Sequence, residues 1–156
     1  MRRIKETLSC IWLYLIFPIL LTTIVADTST FFHTYFSKHI FIIPMIEEFS
    51  KLLTLFISVP VAVVYTLTFA VIEFFLYVRL MENLLGGVSL YFIQGRSLCI
   101  ILHLVCLYIQ YLGFRKFKET NNQKFLLYGY LGGTTLHIAW NAGVGLVVLS
   151  FITNIF

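Results

Sequence analysis

An all-α, polytopic bundle of about five transmembrane helices, with its N-terminus in the cytoplasm, is the fold class the sequence predicts. Composition is the first reason. Of the 156 residues 60% are hydrophobic and only 12% charged, against about 45–50% and about 25% in soluble domains. Distribution is the second, because the apolar residues form uninterrupted runs long enough to cross a bilayer. The third is the basic residues, most of which gather in two short clusters beside those runs. With 16 Phe and 9 Tyr the chain is also too apolar for disorder. Its length suits a single membrane-embedded domain, 1–156.

The first span is 8–26, an uncharged stretch preceded by Arg2, Arg3 and Lys5. It is longer than the ~7–15 residue core of a cleaved signal peptide, and Ile24 fits poorly at the small-residue position before Ala26. A retained anchor helix is therefore expected. Residues 27–39 mix Thr and Ser with Phe31, Phe32, Tyr35 and Phe36, a composition suited to the headgroup level. Residues 40–80 are nearly all apolar. As one helix they would measure ~60 Å, twice the ~30 Å hydrocarbon thickness. Ser58 and Pro60 offer the break, since Ser caps helices and Pro fits a first turn. This gives a second span at 44–59 and a third at 60–80. A turn over 81–87, with Gly86 and Gly87, leads to a fourth span at 88–114. A basic loop follows at 115–124, and then a fifth span within 125–156, which contains no Asp, Glu, Lys or Arg. Gly129, Gly133 and Gly143 on that span suit close helix packing.

Five spans place the N-terminus and the 115–124 loop on the same side, since an even number of crossings separates them. Both basic clusters are then cytoplasmic at once, as the positive-inside rule requires, and the C-terminus lies outside. The net charge of +4 thus serves orientation. The expected partner is the lipid bilayer, not nucleic acid. Cys10, Cys99 and Cys106 all lie in apolar stretches, which argues against a disulfide framework.

Ionisable groups inside the spans cannot be explained by topology. A charge near the bilayer centre costs at least ~2.5–3.5 kcal/mol, so it normally faces a partner or a cavity. Glu47, Glu48 and Lys51 fall on the second span and Glu73 on the third. Arg96 and His103 fall on the fourth, His137 and Asn141 on the fifth. The first span contributes none, so 8–26 is read as an anchor and 44–150 as a four-helix core around a polar site. Glu47 and Lys51 are four apart, as are Glu73 and Tyr77, and His137 and Asn141. Each pair shares a helical face. Glu48 with Lys51, and Arg96 with Glu73, can also be read as plain charge compensation.

Metal ligation is a weaker reading. Cys99 and Cys106 share a helical face but lie ~10 Å apart along the axis, too far for one ion. Glu47, His103 and His137 would be the ligands of a zinc site if one exists, although no HExxH spacing supports it. No cofactor is expected. Ser/His/Asp catalysis lacks support because Asp27, in a connector, is the only Asp.

The segment Pro44-Met45-Ile46-Glu47-Glu48-Phe49-Ser50-Lys51 resembles the PxxEExxK motif of PrsW-type intramembrane proteases. Phe69-Ala70-Val71-Ile72-Glu73, with Tyr77, resembles their next motif. Arg96 and His103 match the third, and His137-Ile138-Ala139-Trp140-Asn141 the final HxxxN. The wider group includes the CAAX-processing (Abi) endopeptidases, with motifs in the same helix order. Departures are Phe74 where Asn is frequent, Thr66-Leu67-Thr68 in place of Gly-x-Gly, Leu107 where Thr is expected, and a short connection between the second and third spans.

The resemblance implies an endopeptidase that cleaves a membrane-embedded or membrane-proximal peptide with glutamate-activated water. It implies Glu47 as general base, tuned by Glu48 and Lys51. Glu73 and His103 would orient water or carry protons, and His137 and Asn141 would bind the oxyanion. Arg96 and Tyr77 would support them. Two other classes fit the same residues: an inactive accessory or immunity protein, and a small proton-coupled transporter. The protease reading requires Glu47, Glu73, His103 and His137 to converge, whereas a relay requires polar groups strung across the bilayer.

Overall fold

The computed structural model describes residues 16, 17, 19–22 and 41–153, and all regular structure among them is helical. Four long helices follow one another: α1 (Ile42–Ile57), α2 (Val59–Leu85), α3 (Leu90–Thr120) and α4 (Lys124–Thr153). Residues 16, 17 and 19–22 are helical too. The rest of the expected anchor at 8–26, and the connector 27–39, lie outside the described residues.

Ser58 closes one helix and opens the next. Its backbone N–H donates to the Thr54 carbonyl at 3.1 Å, while its Oγ accepts from the Val61 N–H at 3.3 Å. Pro60 sits in the first turn of α2, where its missing N–H has no helical partner to lose. The break expected at Ser58–Pro60 is therefore present, with both helices starting slightly earlier than anticipated. α1 likewise begins at Ile42 and carries Pro44 in its first turn.

Two connections are shorter than the sequence suggested. The turn expected over 81–87 is helical through Leu85, and α2 ends at Gly86, whose left-handed φ of 69° favours glycine. The expected 115–124 loop is mostly helix, because α3 runs on to Thr120. Charge indicated a loop there, but no breaker occurs before Asn121, which adopts a left-handed φ of 54°. Arg115 and Lys116 both donate to Glu119, at 3.0 and 3.2 Å, and such pairs support a helix.

Among the described residues α1 and α3 each touch all three other long helices, whereas no contact joins α2 to α4. The bundle is thus a rhombus with α1 and α3 on its short diagonal. Two apolar clusters fill it. One contains Leu52, Leu55, Ala62, Leu107 and Phe114. The other contains Tyr65 and Phe69, with Leu21 of the first helical segment packed against it. α3 and α4 meet along glycines. A Cβ on Gly113 would fall 2.9 Å from the Gly129 Cα, and one on Gly133 would fall 3.2 Å from Gln110 Nε2. Gly143, expected in the same role, has nothing within 4 Å of its Cβ position among the described residues.

Charged and polar side chains share the interior with these apolar clusters, while large apolar side chains face outward. Glu47, Glu48, Lys51, His103, Gln110 and His137 are buried, while Phe75 and Leu90 are 64% and 66% exposed, with Phe49, Phe56, Ile101 and Leu131 also outward. Exposed apolar surface of that extent marks contact with lipid or another protein. Val59–Asn83 and Phe92–Thr120 are each long and apolar enough to cross a membrane.

The glycine seam gives a direct test. Gly113→Ala should destabilise the bundle by about 1–3 kcal/mol through overpacking. Gly95→Ala, on the same helix with open space around it, should be neutral or stabilising by up to about 1 kcal/mol. Reversible unfolding in mixed micelles compares the two, and equal effects would contradict the close approach of α3 and α4.

Candidate active site

The polar residues of the four long helices meet along the α1–α3 diagonal. Glu48 is the hub. It is fully buried and its two oxygens receive three donors. Lys51 Nζ bonds Oε1, His137 Nδ1 lies 2.8 Å from the same oxygen, and Gln110 Nε2 lies 2.7 Å from Oε2. A carboxyl that accepts from three donors is a carboxylate. Lys51, three residues on, faces Glu48 across one helical turn and is equally buried.

Lys51 continues the network onto α3. Its Nζ lies 2.8 Å from His103 Nδ1. The ammonium has only protons to offer, so Nδ1 accepts, and the His103 proton sits on Nε2. That nitrogen donates to Glu73 Oε2 at 2.6 Å. Glu73 uses its other oxygen to accept from Arg96 NH2 at 3.0 Å, and the Arg96 guanidinium lies over the Tyr77 ring, 3.6 Å from its centroid. The Arg96–Glu73 compensation anticipated from the sequence is therefore present, and so is that of Glu48 with Lys51.

Glu47 differs from the other acids. It is buried, neither Lys51 nor Arg96 pairs with it, and its Oε2 has no hydrogen-bond partner among the described residues. The nearest base is His137, whose Nε2 stands 3.6 Å from that oxygen. His137 Nδ1 faces the Glu48 carboxylate and donates to it, and Nε2 is the ring atom turned toward Glu47. The His103 ring packs edge-on against His137, with centroids 4.8 Å apart. Around this centre Ser50 Oγ pairs with the Tyr65 hydroxyl and donates to the Glu47 carbonyl at 2.6 Å.

Glu47, Glu48, Lys51, Glu73, Arg96, His103 and His137 thus join one assembly, with Tyr77 at its edge. Asn141 lies one turn beyond His137, half-buried, and no hydrogen bond ties it to another described residue. Gln110 was missed by the sequence reading. It lies two turns beyond His103 on the same face, but a search for ionisable groups passes over an amide. Cys99 and Cys106 serve packing. Cys99 accepts from Trp140 Nε1 at 3.0 Å, and Cys106 donates to the Gly133 carbonyl at 3.4 Å.

Glu47, His103 and His137 each offer a ligand atom, all within 4.8 Å of one another. Both His103 nitrogens are engaged, however, by Lys51 and by Glu73. Ligation by His103 would break one of these bonds and set a dication beside the Lys51 ammonium. As arranged, the three residues do not fit a zinc ion.

The chain was compared with protein families, curated proteins and solved structures, and none matches.

Removing one member of the buried pair leaves the other uncompensated. Lys51→Met should therefore destabilise the protein by about 3–5 kcal/mol. The double variant Glu48→Gln/Lys51→Met should lose less than the two single losses combined. Unfolding titrations of the four proteins decide this, and strict additivity would mean that the pair is not coupled.

Proposed function

We propose that the protein is a polytopic membrane endopeptidase of about five spans, N-terminus cytoplasmic, that hydrolyses a membrane-embedded or membrane-proximal peptide with water activated by Glu47. The observation that carries this reading is the Glu47–His137 pair. Glu47 Oε2 and His137 Nε2 stand 3.6 Å apart in a buried site. That separation is too long for a direct hydrogen bond. It suits one water molecule seated beside both atoms, donating a proton to each.

The remaining groups divide the work. The site holds three carboxyls and two cations, and the ion pairs Glu48–Lys51 and Glu73–Arg96 use both cations. Glu47 is left as the acid free to gain and lose a proton. It removes a proton from the water as the oxygen attacks the scissile carbonyl carbon, then returns that proton to the departing amine nitrogen. His137 orients the water through Nε2, and Glu48 holds the ring in that tautomer. Asn141, one turn away and uncommitted, supplies an N–H to the tetrahedral oxyanion. This differs from the sequence expectation, which gave His137 itself an oxyanion role. Lys51, His103, Glu73 and Arg96 hold the frame, and no metal takes part.

The outward Phe and Leu residues support a lipid surrounding, since they cover helices whose interior is polar. The relay alternative fits less well. The buried charged and histidine side chains of α3 are Arg96 and His103, ~10 Å apart along the helix, against a hydrocarbon core of ~30 Å. They form a cluster rather than a path across the bilayer.

The test uses purified protein in lipid vesicles with a set of model transmembrane peptides, and mass spectrometry to detect new termini. Wild-type protein should cleave at least one peptide. Glu47→Gln should lower the rate by ~10²–10⁴-fold, whereas Arg79→Ala, at an exposed position, should leave it unchanged. Undiminished cleavage by Glu47→Gln would remove the assignment.

A further inference from the structure

Gln110 is fully buried on α3, and neither charge compensation nor the hydrolytic step just described requires it. Its Nε2 donates twice to one residue: to Glu48 Oε2 at 2.7 Å and to the Glu48 backbone carbonyl at 3.1 Å. Both partners are acceptors, so the orientation of the amide is dictated by the network: nitrogen toward Glu48, oxygen away. That outward oxygen, Oε1, has no hydrogen-bond partner among the described residues. A buried amide with an unsatisfied carbonyl carries a desolvation cost, which a residue needed only for packing would avoid.

The consequence reaches His137. Glu48 Oε1 serves both Lys51 and His137, and the two bonds keep their geometry only while the carboxylate cannot rotate. Lys51 alone binds a single oxygen and leaves the torsion about the carboxylate free. Gln110 holds the other oxygen and the backbone behind it, so the carboxylate plane is fixed from two helices. α4 makes room for this arrangement. Gly133 lies against the amide, and a Cβ there would stand 3.2 Å from Gln110 Nε2 and 3.3 Å from the Cys106 carbonyl.

We infer that Gln110 is a positioning residue which, by locking the Glu48 carboxylate, holds His137 with its proton on Nδ1 and its bare Nε2 toward Glu47. Gly133 is the small residue that lets Gln110 reach that position. The catalytic part of this inference rests on the peptidase reading; the tautomer part does not.

The experiment has two readouts on the full-length protein in lipid bilayers. Nitrogen-15 NMR of labelled histidine, with the His137 signals assigned by their loss in His137→Gln, reports which ring nitrogen carries the proton. Peptide cleavage reports kcat and KM. Wild-type His137 should show a protonated Nδ1 and a bare Nε2. Gln110→Met keeps length and removes the donor. It should give His137 mixed tautomers and lower kcat by ~10–100-fold with KM unchanged, the usual cost of losing an outer partner of a functional histidine. If Gln110→Met does not fold, Gly133→Ala displaces the amide without removing it and should move both readouts in the same direction. An unaltered tautomer in the folded variant overturns the inference, whether or not kcat falls. So does a rise in KM with kcat retained. If the tautomer changes as expected while wild-type protein cleaves no peptide, Gln110 keeps its positioning role and the peptidase reading fails.

Discussion

A carboxylate and an ammonium with no access to water, Glu48 and Lys51, impose the condition the rest of the structure satisfies. Each of their remaining hydrogen-bonding positions must be met by protein, because an unpaired charge in such a place is prohibitively costly. Lys51 meets its need through His103, and Glu48 through His137 and Gln110. His103 in turn requires Glu73, and Glu73 requires Arg96. The two residues of α1 thereby recruit partners from α2, α3 and α4, and the register of all four helices follows from hydrogen bonding rather than from apolar packing alone. The rhombic arrangement expresses the same requirement, since among the described residues only α1 and α3 reach every other long helix.

Convergence of the site was legible in the sequence because expensive residues announce themselves. Glu47, Glu48, Lys51, Glu73, Arg96, His103 and His137 stand out in apolar stretches, and the cost of burying them predicts that they meet. Who pairs with whom was only partly legible. The Glu48–Lys51 and Arg96–Glu73 pairs follow from spacing and charge, whereas the Lys51–His103 bond depends on how α1 and α3 cross, which no local spacing encodes. Helix limits erred where charge was taken as a loop signal. Residues 115–120 are helical because Glu119 pairs with Arg115 and Lys116, and only Asn121, at a left-handed φ, ends α3. The close approach expected at Gly129 and Gly133 is present, whereas Gln110 and Gly113 carry little signal until their neighbours are known.

The same compensation leaves Glu47 without a paired cation among the described residues, and the proposed chemistry is placed there. A fully paired network is rigid and chemically quiet. Glu47 breaks that pattern, with a buried oxygen that no donor among the described residues reaches opposite a histidine whose other nitrogen is already held. Rigid surroundings with one uncommitted acid–base pair are what preorganised catalysis needs. The glycine seam between α3 and α4 contributes indirectly, since it brings Gln110 and His137 close enough to α1 to fix Glu48.

The central claim is that Glu47 and His137 act as one unit on a single water molecule. A kinetic double-mutant cycle tests it most directly, measuring peptide cleavage by wild-type protein, Glu47→Gln, His137→Ala and the double variant. Residues that act as a unit are strongly non-additive. The account predicts that the double variant is no slower than the slower single variant. Losses that multiply, so that each residue contributes independently of the other, would contradict it.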